Sequence, residues 1–224
     1  MKPFLDRDVI AMRAAREIKG GECVNLGTGI PSLVANFIPS DVHPVLHSEI
    51  GCVHFTHILT ADEGDKIDYD YVLAGGEFVL PEAGMAFVDH GTSFIIIRGG
   101  RLSLSIMGGR QISAKGDLAN WSSQISPKAG GIGGSMDLAV GAKRLVITMA
   151  HITKSGEPKI VKECHLPLTA NKCVNRIITD AAVIDVTEEG LVLKELAPGW
   201  RPEDVQAITE PHLIIAEDIE EMSL

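Results

Sequence analysis

Residues 22–49 read ECVNLGTGIPSLVANFIPSDVHPVLHSE, and no other stretch limits the fold so sharply. An apolar strand breaks into a glycine turn, Pro31 opens a helix and Pro39 stops it. A second apolar run then ends at Glu49. Strand, glycine turn, helix and strand in that order predict a parallel α/β unit, because parallel neighbours need a crossover between them. In open α/β sheets ligands gather at the carboxyl ends of the strands, where this reading places both Asn25 and Glu49.

The same punctuation recurs along the chain. Asp6 or Asp8 caps a first helix that the glycines at 20 and 21 end, and Asp89 or Thr92 caps another that ends at Gly99 and Gly100. RLSLSIMG alternates as a strand, RPEDVQAI starts a helix with proline in its first turn, and HLIIAED is a last strand. Residues 54–70, HFTHILTADEGDKIDYD, are polar and acidic and read as a loop. With no repeat or low-complexity linker, residues 1–224 are expected to form one domain. The fold class is α/β, an open, largely parallel sheet flanked by helices.

Charge excludes one class of partner. A formal net charge of −10 is the wrong sign for a nucleic-acid surface, although glycine-loop N–H groups still bind anions without net positive charge. The four cysteines, Cys23, Cys52, Cys164 and Cys173, lack C-x-x-C spacing and read as reduced, mostly buried thiols of a cytosolic protein. The amphipathic N-terminus has no apolar core of a secretion signal, and no apolar run reaches the ~20 residues of a membrane span. A soluble, cytoplasmic protein is expected.

Two features carry chemistry. Glu49 stands in apolar surroundings, where a carboxylate serves as general acid, metal ligand or nucleophile, or is held structurally by an N–H or an arginine. GGIGGSMDLA at 130–139 puts consecutive glycines ahead of a helix, so that bare N–H groups converge on an anion or oxyanion. It is not a P-loop, because no G-K-[ST] closes it. A tight helix-entry turn is the alternative for the loop, as turn capping is for Asn25.

Together with SEIG, KGDLANW, CHLPLT and RIITDAAVIDVTEEGLVLKEL, these strings run collinearly from about Ile10 to Asp218. They resemble the B (beta) subunit of class I CoA-transferases, the 3-oxoacid or acetoacetate type. The resemblance implies a cytosolic enzyme of A and B subunits, a hetero-oligomer moving coenzyme A between an acyl-CoA and a carboxylic acid. CoA is then a substrate, and no cofactor or metal is implied. The family's nucleophile, the glutamate of a Ser-Glu-Asn-Gly string, falls on Glu49 within Ser48-Glu49-Ile50-Gly51. Turnover would pass through a glutamyl-CoA thioester. Asn25, Gly133 and Gly134 are the expected oxyanion support, and Gly130, Gly131, Gly133 and Gly134 the expected CoA-binding loop.

This chain departs from the family pattern twice. Ile50 replaces the asparagine, and CVHFTHILTADEG replaces a glycine- and proline-rich string, which predicts a reshaped acyl pocket. His47, Cys52, His54 and His57 lie close in sequence but match no zinc spacing. Asp117, Asn120 and Trp121 read as packing and turn residues. Arg98, Arg101, Arg110, Lys115 and Lys128 are within the range of residue types that contact CoA phosphates. A hydrolase on the same site and a noncatalytic acyl-CoA-binding homologue are the alternatives to a transferase.

Overall fold

The computed structural model describes residues 2–122 and 131–223. In chain order the strands are β1 Cys23–Leu26, β2 Val45–His47, β3 Cys52–Phe55, β4 Ala86–Phe87, β5 Leu104–Gly108, β6 Gln111–Ser113 and β7 Leu118–Ala119. They continue as β8 Leu145–Met149, β9 Ile160–Val161, β10 Arg176–Thr179, β11 Ala182–Thr187, β12 Gly190–Leu196 and β13 Leu213–Glu221. The α-helices are α1 Arg7–Ala15, α2 Ile30–Leu33, α3 His90–Arg98, α4 Ser135–Gly141 and α5 Pro202–Gln206.

Ten strands form one open sheet in the order β13-β12-β11-β10-β8-β5-β1-β2-β3-β4. Its centre, from β10 through β8, β5 and β1 to β2, is parallel throughout. Antiparallel pairs flank that centre on both sides. β7, β6 and β9 form a second, small sheet, whose Ile112, Leu118 and Ile160 pack into the core of the large one.

Alternation along the central strands divides the core in two. Val24, Leu46, Leu104, Ile106 and Val146 face the layer of α1. Met107, Leu145, Ile147 and Ile177 face the layer of α3, α4 and α5. A sheet covered on both faces explains why the central strands read as nearly continuous apolar runs.

Residues 54–70 depart from the expected loop. Residues 54 and 55 close β3, and Ala61–Lys66 form a 3-10 helix entered by a Thr60–Glu63 capping box. Helix α1 ends at Ala15, before the glycines, and turns continue to Ile18. The cysteines are all free, but only Cys52 is fully buried; the other three are half-buried. Among the described residues no helix is long and apolar enough to cross a membrane.

Candidate active site

Asn25 on β1 sits in register with Ser105 on β5 and His47 on β2. Parallel register puts the three side chains on one face, the face covered by α3. All three are buried. The Asn25 Nδ2 group lies 3.1 Å from His47 Nδ1 and donates to the His47 carbonyl at 3.1 Å. His47 Nε2 lies 3.1 Å from Ser93 Oγ, and Ser93 Oγ donates to the Glu49 carbonyl at 2.8 Å.

The direction of that chain follows from its end. A carbonyl only accepts, so the Ser93 proton goes to Glu49 and Ser93 Oγ accepts from His47 Nε2–H. Nδ1 is then bare and accepts from Asn25. Burial holds the His47 pKa down at about 4, so the ring is neutral at physiological pH and this tautomer is available. Asn25, His47 and Ser93 thus form a one-way relay that pins the backbone of Glu49.

Beyond β2 the chain reverses. Gly51 N–H donates to the Ser48 carbonyl at 2.9 Å, with Gly51 at φ +113°. A Cβ there would fall 2.0 Å from the Val88 carbonyl oxygen, so only glycine fits the turn that presents Glu49. Ser48 Oγ accepts the Ala74 N–H at 3.1 Å and ties the turn to the 71–79 excursion.

The Glu49 carboxylate is half-buried. Among the described residues it has no ion-pair partner, and its one hydrogen bond is a long one, 3.4 Å from Gly134 N–H. The close approach is at Gly134: a Cβ on it would come 2.5 Å from Glu49 Oε2 and 2.8 Å from Phe94 Cζ. On Gly133 it would stand 3.4 Å from Oε1. Gly134 is also the residue preceding α4, so the positive end of that helix faces the carboxylate. A carboxylate beside backbone N–H groups can attack an electrophilic carbonyl and have the resulting oxyanion stabilised.

Glu49 opens into a cleft of about 1300 Å³ across the carboxyl ends of β1, β5 and β8. Its walls include Asn25, Gly131, Gly133, Asn120 and Trp121.

Residues 7–207 match the Coenzyme A transferase family. The chain belongs to that family of enzymes. It is 45% identical over 212 residues to the B subunit of the 3-oxoadipate CoA-transferase of Acinetobacter baylyi, covering 95% of this chain and 96% of that one. It is 44% identical over 214 residues to the B subunit of a probable succinyl-CoA:3-ketoacid coenzyme A transferase of Bacillus subtilis, covering 95% and 97%. The acyl-CoA transferase YdiF of Escherichia coli O157:H7 shares the fold, with a TM-score of 0.77 at 20% identity. That match covers all of this chain and 44% of YdiF.

In this transferase the sequence-derived site residues fall as follows. Glu49, Gly133 and Gly134 meet. Asn25 lies beside His47 rather than against the Glu49 carboxylate, and both its amide protons face His47. Its Oδ1 has no partner among the described residues. Among the described residues a Cβ on Gly131 would meet only the Gly133 nitrogen, at 4.0 Å. Gly130 and Lys128 lie outside the described residues.

The histidines scatter. His47 belongs to the relay, and His57 Nε2 lies 2.7 Å from Glu63 Oε2. His54, at φ +64°, lies against Gly84. Among the described residues no three His, Cys, Asp or Glu side chains group to hold a metal. Ile50, which stands in place of the family's asparagine, is exposed. Arg98 is held by Asp137 at 2.7 Å and lies over the Phe94 ring. Asp117 accepts from Ser113 Oγ and Lys172 N–H, and Asn120 accepts from Thr169 Oγ1. Trp121 Nε1–H donates to the Leu168 carbonyl.

Proposed function

We propose that this transferase works as the B (beta) partner of a two-subunit enzyme and that Glu49 is its nucleophile. The observation that carries the reading is the Glu49 carboxylate, half-buried, unpaired with any described cation and facing the Gly134 N–H in a large cleft.

A Glu49 oxygen attacks the thioester carbonyl of an acyl-CoA, the C–S bond breaks, and CoA leaves as thiolate. The product is an acyl-glutamyl anhydride. The thiolate then attacks the Glu49 carbonyl carbon, the anhydride C–O bond breaks, and the free acid departs. Glutamyl-CoA thioester remains. An acceptor carboxylate attacks that thioester and expels the thiolate, which takes the new acyl group and restores the Glu49 carboxylate. No proton, metal or redox partner is needed, so CoA is the substrate and no cofactor is called for.

Each tetrahedral oxyanion requires a preset donor, a role that suits the Gly133 and Gly134 N–H groups. One well-placed donor is worth ~3–4 kcal/mol in barrier height. Asn25 would then act through the relay, holding the Glu49 backbone still while its side chain becomes acylated. Residues 130–134 form the CoA-facing loop in this reading. Exclusion of water from the cleft keeps the anhydride from hydrolysis, and an A (alpha) partner would close it. Short 3-oxo and dicarboxylic acyl groups are the substrate class, as the names of the two relatives suggest. A cytoplasmic location fits this chemistry.

The test is mass analysis of the chain, assembled with its A partner, after incubation with acyl-CoA. A CoA-sized adduct on the peptide carrying Glu49, absent from Glu49→Gln, is the expected result. No adduct on Glu49 with full turnover would sink the reading.

A further inference from the structure

We propose that Lys159 and Arg110 form an anion subsite in the Glu49 cleft. It would take a second anionic group of the substrate, a carboxylate or a phosphate. The inference deepens the proposed function, since it rests on Glu49 marking the reacting end of that cleft.

Strand pairing builds the site. β6 runs parallel to β9 with Ile112 opposite Ile160, and Ile112 N–H donates to the Lys159 carbonyl at 3.0 Å. Lys159 N–H in turn donates to the His151 carbonyl at 3.1 Å. Both side chains line the cleft, and Arg110 lies close enough for its charge to act on Lys159.

Neither side chain is in a direct ion pair with a described residue. Several cations of the fold are paired, Arg13, Arg144 and Arg176 with Glu17 among them. Among the described residues, however, no carboxylate lies within 4.0 Å of Lys159 or Arg110. Among the described residues the Arg110 side chain donates only to the Asn120 carbonyl, at 3.2 Å. Glu157 and Glu210 line the same cleft, and Glu210 accepts the Lys162 N–H instead. The nearby Asp180 carboxylate accepts the His151 N–H at 2.8 Å.

Burial pushes the Lys159 pKa down to about 8, with Asp180 opposing that shift and Arg110 adding to it. The ammonium is still mostly protonated at neutral pH. A desolvated cation beside a second cation is costly unless an anion arrives, and that cost is recovered when a bound carboxylate or phosphate meets both. Two parts of the substrate pair carry such a group: the far carboxylate of a dicarboxylic acyl chain, and the phosphates of CoA.

Steady-state kinetics of Lys159→Met and Arg110→Met, each assembled with the A partner, decide the matter. The acids are acetate and acetoacetate against succinate and 3-oxoadipate, with their CoA thioesters as donors. A KM at least tenfold higher for the dicarboxylic acids alone supports the subsite and assigns it to the carboxylate. A KM at least tenfold higher for every acyl-CoA, whatever the acid, supports it and assigns it to a phosphate. KM values within twofold of the parent throughout overturn it. Arg110 is exposed, so its variant keeps the test open if Lys159→Met fails to fold. The Glu49 adduct with acetyl-CoA, followed in the same variants, separates the two proposals. An adduct with unchanged KM sinks the subsite alone, and no adduct in the parent enzyme sinks the nucleophile.

Discussion

Ser93 Oγ donates to the backbone oxygen of Glu49 at 2.8 Å while lying 3.1 Å from His47 Nε2, so one hydroxyl joins helix α3 to the turn that presents the carboxylate. Ser93→Ala removes that donor and leaves the buried His47 Nε2–H without an acceptor. An unmade buried hydrogen bond costs about 1–3 kcal/mol. The variant should lose that much in urea unfolding and about tenfold in kcat, with KM for acyl-CoA little changed. Replacement by threonine, which keeps the hydroxyl, should restore kcat. A kcat equal in Ser93→Ala and the parent would show that the relay does not hold the nucleophile.

Gly134→Ala tests the glycine loop. Its Cβ would need space now held by Glu49 Oε2 and Phe94 Cζ, so either the carboxylate or the loop must move. We expect kcat/KM to fall about 100-fold or more, with little change in Tm. Gly131→Ala is the comparison, because among the described residues a Cβ there meets only the Gly133 nitrogen, at 4.0 Å; as a CoA-loop residue it should lose some activity, but at least about tenfold less than Gly134→Ala. Equal losses at the two positions would mean that the loop acts through flexibility rather than close approach.

Much of this site was legible in the sequence, and the reason is local. Glu49 and the glycines before α4 lie in short strings whose chemistry depends on neighbours one or two residues away. The strand-turn-helix-strand unit also placed Asn25 and Glu49 at adjacent carboxyl ends. What was not legible came from distance. Ser93 lies 44 residues from Glu49 in an apolar helix and carries no motif of its own. His47 read as part of a histidine-rich loop because its partner, Asn25, is a neighbour only across a strand pair. Lys159 carries no motif in the sequence, and only the fold brings it to the same cleft as Arg110. The 3-10 helix at Ala61–Lys66 was hidden for a different reason: its capping box sits in a run of acids that also suits a solvated loop.

His47 sets a pH response of the fold rather than of the chemistry. Its pKa is about 4 when folded, against an ordinary value of 6.5. Between those values the unfolded chain binds a proton that the folded chain refuses, so stability should fall as pH drops from 6.5 through 4. The full effect is roughly 3 kcal/mol. Denaturant unfolding at pH 7, 5.5 and 4.5 should show the decline, and His47→Gln should flatten it. Because the ring stays neutral above pH 5, kcat should show no limb belonging to His47 between pH 5.5 and 7.5. A limb that His47→Gln removes would mean that the histidine titrates during turnover.

Glu17 fixes the opposite end of the molecule. Its buried carboxylate bonds Arg13 Nη1, Arg144 Nη1 and Arg176 Nη1, each at 2.8 Å, and so ties α1 to β10 and to the chain entering β8. Burial works against its charge, but Arg176 and Arg13 outweigh that, and its pKa lies below the ordinary 4.5. A depressed carboxylate pKa adds stability that is fully present above 4.5 and is lost as pH falls through the folded value. Glu17→Ala leaves three guanidinium groups sharing one region without their common anion, a change in the class that costs about 3–5 kcal/mol. The expected result is a large loss in urea midpoint at pH 7, with the difference from the parent shrinking as pH falls below 4.5. The cleft is built from other strand ends, so the folded fraction of Glu17→Ala should still form the Glu49 adduct. A variant as stable as the parent at pH 7 would mean that Arg13, held by Glu195, and Arg176, held by Asp185, are already neutralised without it.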